Sequence, residues 1–179
     1  FEVVYRGPFG YWLEPTADAY VDEAYKTKNY GSASILRVKN AATDMNAYLK
    51  YEVAGFDADP GQCYIFYDTF MVNHVKEPSV DGGDVYSVGN NWTEGAINWN
   101  NAPPISGSPL GSIGAVTDET SDWAYIGVPV SGNGVYSFAI HNNSTNSVDY
   151  SSKEGQYHPW LFFSYRRDFD ARLTANFYP

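Results

Sequence analysis

Residues 92–112 read WTEGAINWNNAPPISGSPLGS, and the rest of the chain is best understood outward from this stretch. Ile97 and Trp99 alternate with Ala96 and Asn98, the spacing of a short strand with one buried face. Asn100-Asn101 and Pro103-Pro104 then close off any ladder, because proline lacks an N–H and restrains the residue before it. The reading is a strand that ends against a fixed loop, with Trp92 and Trp99 buried beside it as large aromatics usually are.

The same punctuation recurs throughout. Of 179 residues, 16 are Gly, 10 are Pro and 16 are Tyr, which favours many short strands joined by turns and hence an all-β sandwich or barrel. This length fits one domain with a substantial core. In residues 34–39 (SILRVK), Leu36 and Val38 are expected to face inward, with Arg37 and Lys39 opposite. In residues 46–54 (NAYLKYEVA), Leu49, Tyr51 and Val53 form one face, and Tyr48, Lys50 and Glu52 the other. Further strands are expected near 62–72, 84–88, 123–130, 135–141, 147–151 and 159–165, adding Ile65, Phe138, Ile140 and Leu161 to the core. The main module spans 14–165. Residues 1–13 read as an arm packed on it, and 166–179 as an extension that docks or covers an edge.

Several function classes recede on composition. A net charge of -10 argues against nucleic acid. There is no apolar run of membrane-spanning length. The single cysteine, Cys63, precludes an internal disulfide and a cysteine-rich zinc site, and is expected to be a buried, inert thiol. The chain begins at Phe1 without an initiator Met or signal sequence, so a fragment or processed form is expected.

Four blocks occur in order: ADAYVDEAYKTKNYGSASILRVK (17–39), AYLKYEV (47–53), NWTEGAINWNNAPP (91–104) and DYSSKEGQYHPWLFFSY (149–165). In sequence and spacing they resemble the DNRLRE domain, carbohydrate-binding module family 96, over roughly residues 14–165. Two positions depart from the family pattern. No Arg stands before Tyr48-Leu49, and the closing Ser-Arg-Glu is Ser152-Lys153-Glu154. The resemblance implies a two-sheet antiparallel β-sandwich, jelly-roll-like, that serves as a non-catalytic part of a secreted polysaccharide-degrading enzyme. It implies a fused catalytic domain and, as in characterised members, binding of alginate. A monomer is expected.

Charge distribution points to a binding face independently. Lys26, Lys28, Arg37, Lys39 and Lys50 fall within residues 26–50, where Asp44 is the only acid, while residues 51–149 hold one base, Lys76. If strands 34–39 and 46–54 are neighbours in one sheet, Arg37, Lys39 and Lys50 share a face with Tyr48, rimmed by Lys26, Lys28 and Tyr30. Such a face suits an acidic polysaccharide, with Arg forked on a carboxylate and Tyr stacked on a sugar. Lys153, at the family's arginine position, completes the candidate set. The bland alternative is a solvated edge whose lysines discourage strand pairing. Should the patch not bind, the next place is against Trp92 and the Pro103-Pro104 loop.

A structural Ca²⁺ would draw on oxygen donors in the family blocks: Asp18, Asp22, Asn29 and Glu154. Asp118, Glu119 and Asp122 form a further acidic turn, and Asp81-Gly-Gly-Asp84 reads as a hairpin. Two competing classes remain open. One is a polysaccharide lyase or hydrolase, although His74, His141 and His158 lie in no recognisable motif and no catalytic residue is assigned. The other is a cell-surface or adhesion module.

Overall fold

Alternation of apolar and polar residues along the chain resolves into two sheets that face each other. The computed structural model describes residues 9–56, 62–116 and 123–169. In chain order the strands are β1 (Phe9–Leu13), β2 (Ala17–Asp22), β3 (Ile35–Val38), β4 (Met45–Val53), β5 (Gln62–Glu77), β6 (Asp84–Val88), β7 (Gly111–Ser112), β8 (Trp123–Gly127), β9 (Gly134–His141), β10 (Val148–Ser151) and β11 (Trp160–Phe169). The helical content among the described residues is one 3₁₀ turn, Glu23–Tyr25. No helix there is long and apolar enough to cross a membrane.

The first sheet runs β1-β11-β5-β10-β3, with β8 also on β5, and the second runs β2-β4-β9-β6-β7. Every pairing is antiparallel. Within them β3, β10, β5 and β8 pair in turn, as do β4, β9, β6 and β7. That is the strand order of a jelly roll, to which β2, β11 and β1 are added. The core between the sheets contains Leu36, Val38, Leu49, Tyr51, Val53, Met71, Val75, Val85, Phe138, Ile140, Val148, Tyr150, Leu161 and Phe163.

Three expectations are corrected. First, β3 and β4 are not neighbours in one sheet. Residues 39–44 carry the chain from one sheet to the other, closed by a bridge between Lys39 and Met45. Second, Ile65 is only half-buried. Asp68 takes a left-handed φ of 39° and the β5–β11 register shifts beside it, so a bulge inverts the alternation. Phe66, out of phase with the expected face, packs on the core instead. Third, no strand forms at residues 96–99. The N–H groups of Ala96 and Ile97 both donate to the Thr93 carbonyl, and those of Asn101 and Ala102 to that of Asn98. The Asn98 and Asn101 side chains bond nearby backbone, offering local partners in place of a ladder.

Strand limits also move: β5 continues to Glu77, β11 to Phe169, and β8 stops at Gly127. Residues 9–13 of the expected arm pair with β11. The Cys63 side chain, the acidic turn at 118–122 and residues 170–179 lie outside the described residues.

Candidate functional site

The loop after β6 covers the outer face of the second sheet. Ala17, Ala19 and Ala139 are small and leave room above the strands, and Trp92 and Ile97 fill it. Around them Trp92 Nε1 donates to Ser137 Oγ at 3.1 Å and the Tyr48 hydroxyl donates to the Pro103 carbonyl at 3.0 Å. The Lys50 ammonium lies 4.4 Å from the Trp92 ring centre and donates to the carbonyls of Asn90 and Trp92. Tyr48 is therefore buried beneath the loop. It is not an open stacking surface, and burial pushes its phenol up to about 12. Burial likewise lowers the Lys50 ammonium. Trp92 is buried as expected, and Trp99 is partly buried against the same cluster.

A polar knot ties this loop down. The Asp18 N–H on β2 donates to Glu94 Oε1 at 2.9 Å, and the Lys153 N–H donates to Asp18 Oδ2 at 2.8 Å. The Lys153 ammonium sits 3.0 Å from Glu94 and 2.9 Å from Glu154. Asn29 Nδ2 donates to the carbonyls of Glu94 and Ile97 at 2.6 and 2.7 Å. Gly31 is required beside it, because a Cβ there would overlap the Glu94 carbonyl. Three of the sequence blocks that carry the family resemblance thus converge on one place. Asp18, at 1 % exposure, is raised to about 7 by burial, with Glu154 and Glu94 adding to the effect against the Lys153 hydrogen bond.

Of the expected metal ligands, the knot brings together Asp18 and Glu154, with Asn29 bonded to the Glu94 backbone. Asp22 is elsewhere. It lies four residues along the strand, about 13 Å at the usual rise, and accepts from the Ala24 N–H to cap the 3₁₀ turn. Sequence reasoning missed Glu94 as a donor, although it was visible as the one carboxylate between two tryptophans.

The expected basic face divides into four groups. Lys50 and Tyr48 belong to the covered face, and Lys153 belongs to the knot. Arg37, on the outer side of β3, forks onto Asp149 at 2.7 and 2.6 Å and has Glu77 at 4.0 Å. The carboxylate its guanidinium grips is internal, and that pairing raises it further.

The remaining candidates gather beside β2. Tyr30 stacks on Tyr20 at 4.2 Å, and the Lys28 ammonium lies 4.5 Å from the Tyr30 ring and 5.8 Å from that of Tyr25. Burial pushes the Tyr20 phenol up to about 12, with Tyr30 adding and Arg37 opposing. Lys26 has only a 3.8 Å contact with Glu23 and is half-exposed. Among the described residues neither Lys28 nor Lys39 has an ion-pair partner.

The Lys26 carbonyl accepts from the Asn100 N–H, which joins this basic rim to a cleft. The cleft holds about 470 Å³ and is walled by Trp99, Pro103, Pro104, Tyr86, Asn46 and His141. His141 Nδ1 is 2.8 Å from Asn46 Oδ1, so polar groups and aromatic faces share one hollow. That is the composition of a site for a small polar ligand. The other histidines are separate: His74 stacks on Tyr157, and His158 pairs with Glu14 at 2.9 Å.

The family model of carbohydrate-binding module family 96 matches residues 11–165. A comparison with curated proteins finds no match.

Proposed function

The chain belongs to carbohydrate-binding module family 96, and from that premise we propose that it binds an acidic polysaccharide, with alginate as the foremost ligand, along the Lys26–Lys28 rim and into the adjoining cleft. The observation that carries this reading is Lys28. In a chain of net charge -10, its ammonium faces two tyrosine rings and no carboxylate among the described residues. Cations without internal partners can form charge-assisted hydrogen bonds to uronate carboxylates. Tyr25, 62 % exposed, offers a ring for a sugar's apolar face, as does Trp99 inside the cleft. Lys39 adds a further unmatched charge. Arg37, forked onto Asp149, is already engaged within the protein and is left out of the glycan contact.

In this reading the module is non-catalytic and holds an attached, secreted polysaccharide-degrading enzyme on its substrate. A cell-surface adhesion role would use the same binding chemistry without the enzyme. A second ligand class has one specific observation in its favour. Trp12 and Tyr125, both more than half exposed, line a hollow of about 330 Å³ with Val72 and Trp160 on the first sheet, which suits stacking on a neutral glycan.

Affinity electrophoresis over alginate, pectin, sulfated glycans and neutral glucans separates these readings. Retardation by alginate ahead of the neutral polymers is expected. Retardation by neutral glucans alone would transfer the function to the Trp12–Tyr125 hollow. Incubation with alginate should yield no new unsaturated ends, and their appearance would make the domain a lyase.

A further inference from the structure

We propose that the knot of Asp18, Glu94 and Glu154 is a divalent-cation site, of the oxygen-ligand kind that takes Ca²⁺, and that the Lys153 ammonium is the cation that holds its place when the metal is away. One carboxylate oxygen from each of the three residues lies within 4.8 Å of the others. Two oxygens on a single Ca²⁺, each at about 2.3–2.6 Å, can be that far apart. The separate observation is an unsatisfied atom. Asp18 is 1 % exposed, and its Oδ1 has no hydrogen-bond partner, although Oδ2 accepts from the Lys153 N–H. A buried carboxylate oxygen left in this way is costly, and a cation removes the cost. Two buried hydroxyls, Tyr51 and Ser151, also lack partners; Tyr51 couples electrostatically to Asp18, and Ser151 closely precedes Lys153.

Three carboxylates face one ammonium here, which leaves uncompensated negative charge when all are ionised. The Lys153 ammonium reaches Glu94 and Glu154 from a flexible stem and is one-quarter exposed, so it can swing into water as the ion enters. Glu154 lies at the solvent-facing side, which gives the ion an entrance. All ligands are hard oxygens, which favours Ca²⁺ over softer transition metals. The reading stands apart from glycan binding, since the knot is formed by other residues than the Lys26–Lys28 rim.

The test uses Ca²⁺ alone, with no glycan. Chelator-treated protein is titrated with CaCl₂ by calorimetry and melted with and without it. Saturable binding and a rise in Tm with Ca²⁺ concentration are expected, because a ligand held only by the folded state stabilises it by mass action. Glu154→Gln, a change at the exposed ligand, should weaken Ca²⁺ binding about tenfold or more, and Lys153→Met, which removes the competing ammonium, should strengthen it. A merely structural lysine predicts the reverse for Lys153→Met, a loss of stability with no gain in Ca²⁺ affinity. If neither the native protein nor folded Lys153→Met shows a heat or a Tm shift at millimolar Ca²⁺, the site holds water and its lysine only, and the proposal is wrong.

Discussion

At Asp18, burial and charge pull against each other. Its carboxyl is raised from 3.8 to about 7, chiefly by desolvation. A folded-state value above the unfolded one means that the folded chain holds a proton the unfolded chain has released. The resulting stabilisation is complete below about pH 4 and is lost as pH rises to 7, amounting to something on the order of 4 kcal/mol. His74 acts in the opposite sense, because burial lowers its value and its stabilisation is lost as pH falls below 6.5. Urea unfolding in chelator at a series of pH values isolates the aspartate: the native curve should decline between pH 4 and 7 relative to that of Asp18→Asn. Parallel curves would show that Asp18 titrates normally. The sequence marked Asp18 as an oxygen donor but gave no sign of its burial. Its burial depends on a loop some 76 residues away folding back over β2.

At the scale of elements, the strands were legible and their partners were not. Leu36 with Val38, and Leu49 with Tyr51 and Val53, alternate without interruption and are buried as read. The six residues between β3 and β4 read equally well as a hairpin or as an arch between sheets, and alternation is blind to that difference. It separated Arg37 from Lys50 and so dissolved the single basic face. The Asp68 bulge is similarly silent, since one extra residue leaves no compositional trace. The loop after β6 was legible as a fixed loop but not as a lid over Tyr48. Its attachment through Gly31 gives a prediction. Gly31→Ala should cost about 1–3 kcal/mol in urea unfolding, because the new methyl meets backbone that cannot yield. Gly95→Ala, in the loop after β6 itself but with nothing within 4 Å of the added Cβ, should be nearly neutral. Equal stability of the two variants would mean that the loops are not locked at Gly31.

For the whole molecule, the central tension is a strongly acidic protein proposed to hold an acidic polymer. The overall field repels a polyuronate, and the encounter depends on a local patch close enough to outweigh it; at 0.1 M salt, charges beyond about 10 Å are largely screened. Arg37 and Lys153 spend their charge on internal carboxylates, and Lys50 on carbonyls and a ring. Of the candidate bases, that leaves Lys26, Lys28 and Lys39 to meet the ligand, with the cleft beside the first two. The most direct measurement is the calorimetric affinity of alginate oligosaccharides for a folded Lys26→Ala, Lys28→Ala double variant, with Lys76→Ala as the control from outside the island. Each charge-assisted hydrogen bond contributes about 1.5–3 kcal/mol, so the double variant should bind at least about tenfold more weakly while the control is unchanged. Native affinity in the double variant would contradict the account and move the ligand away from this rim.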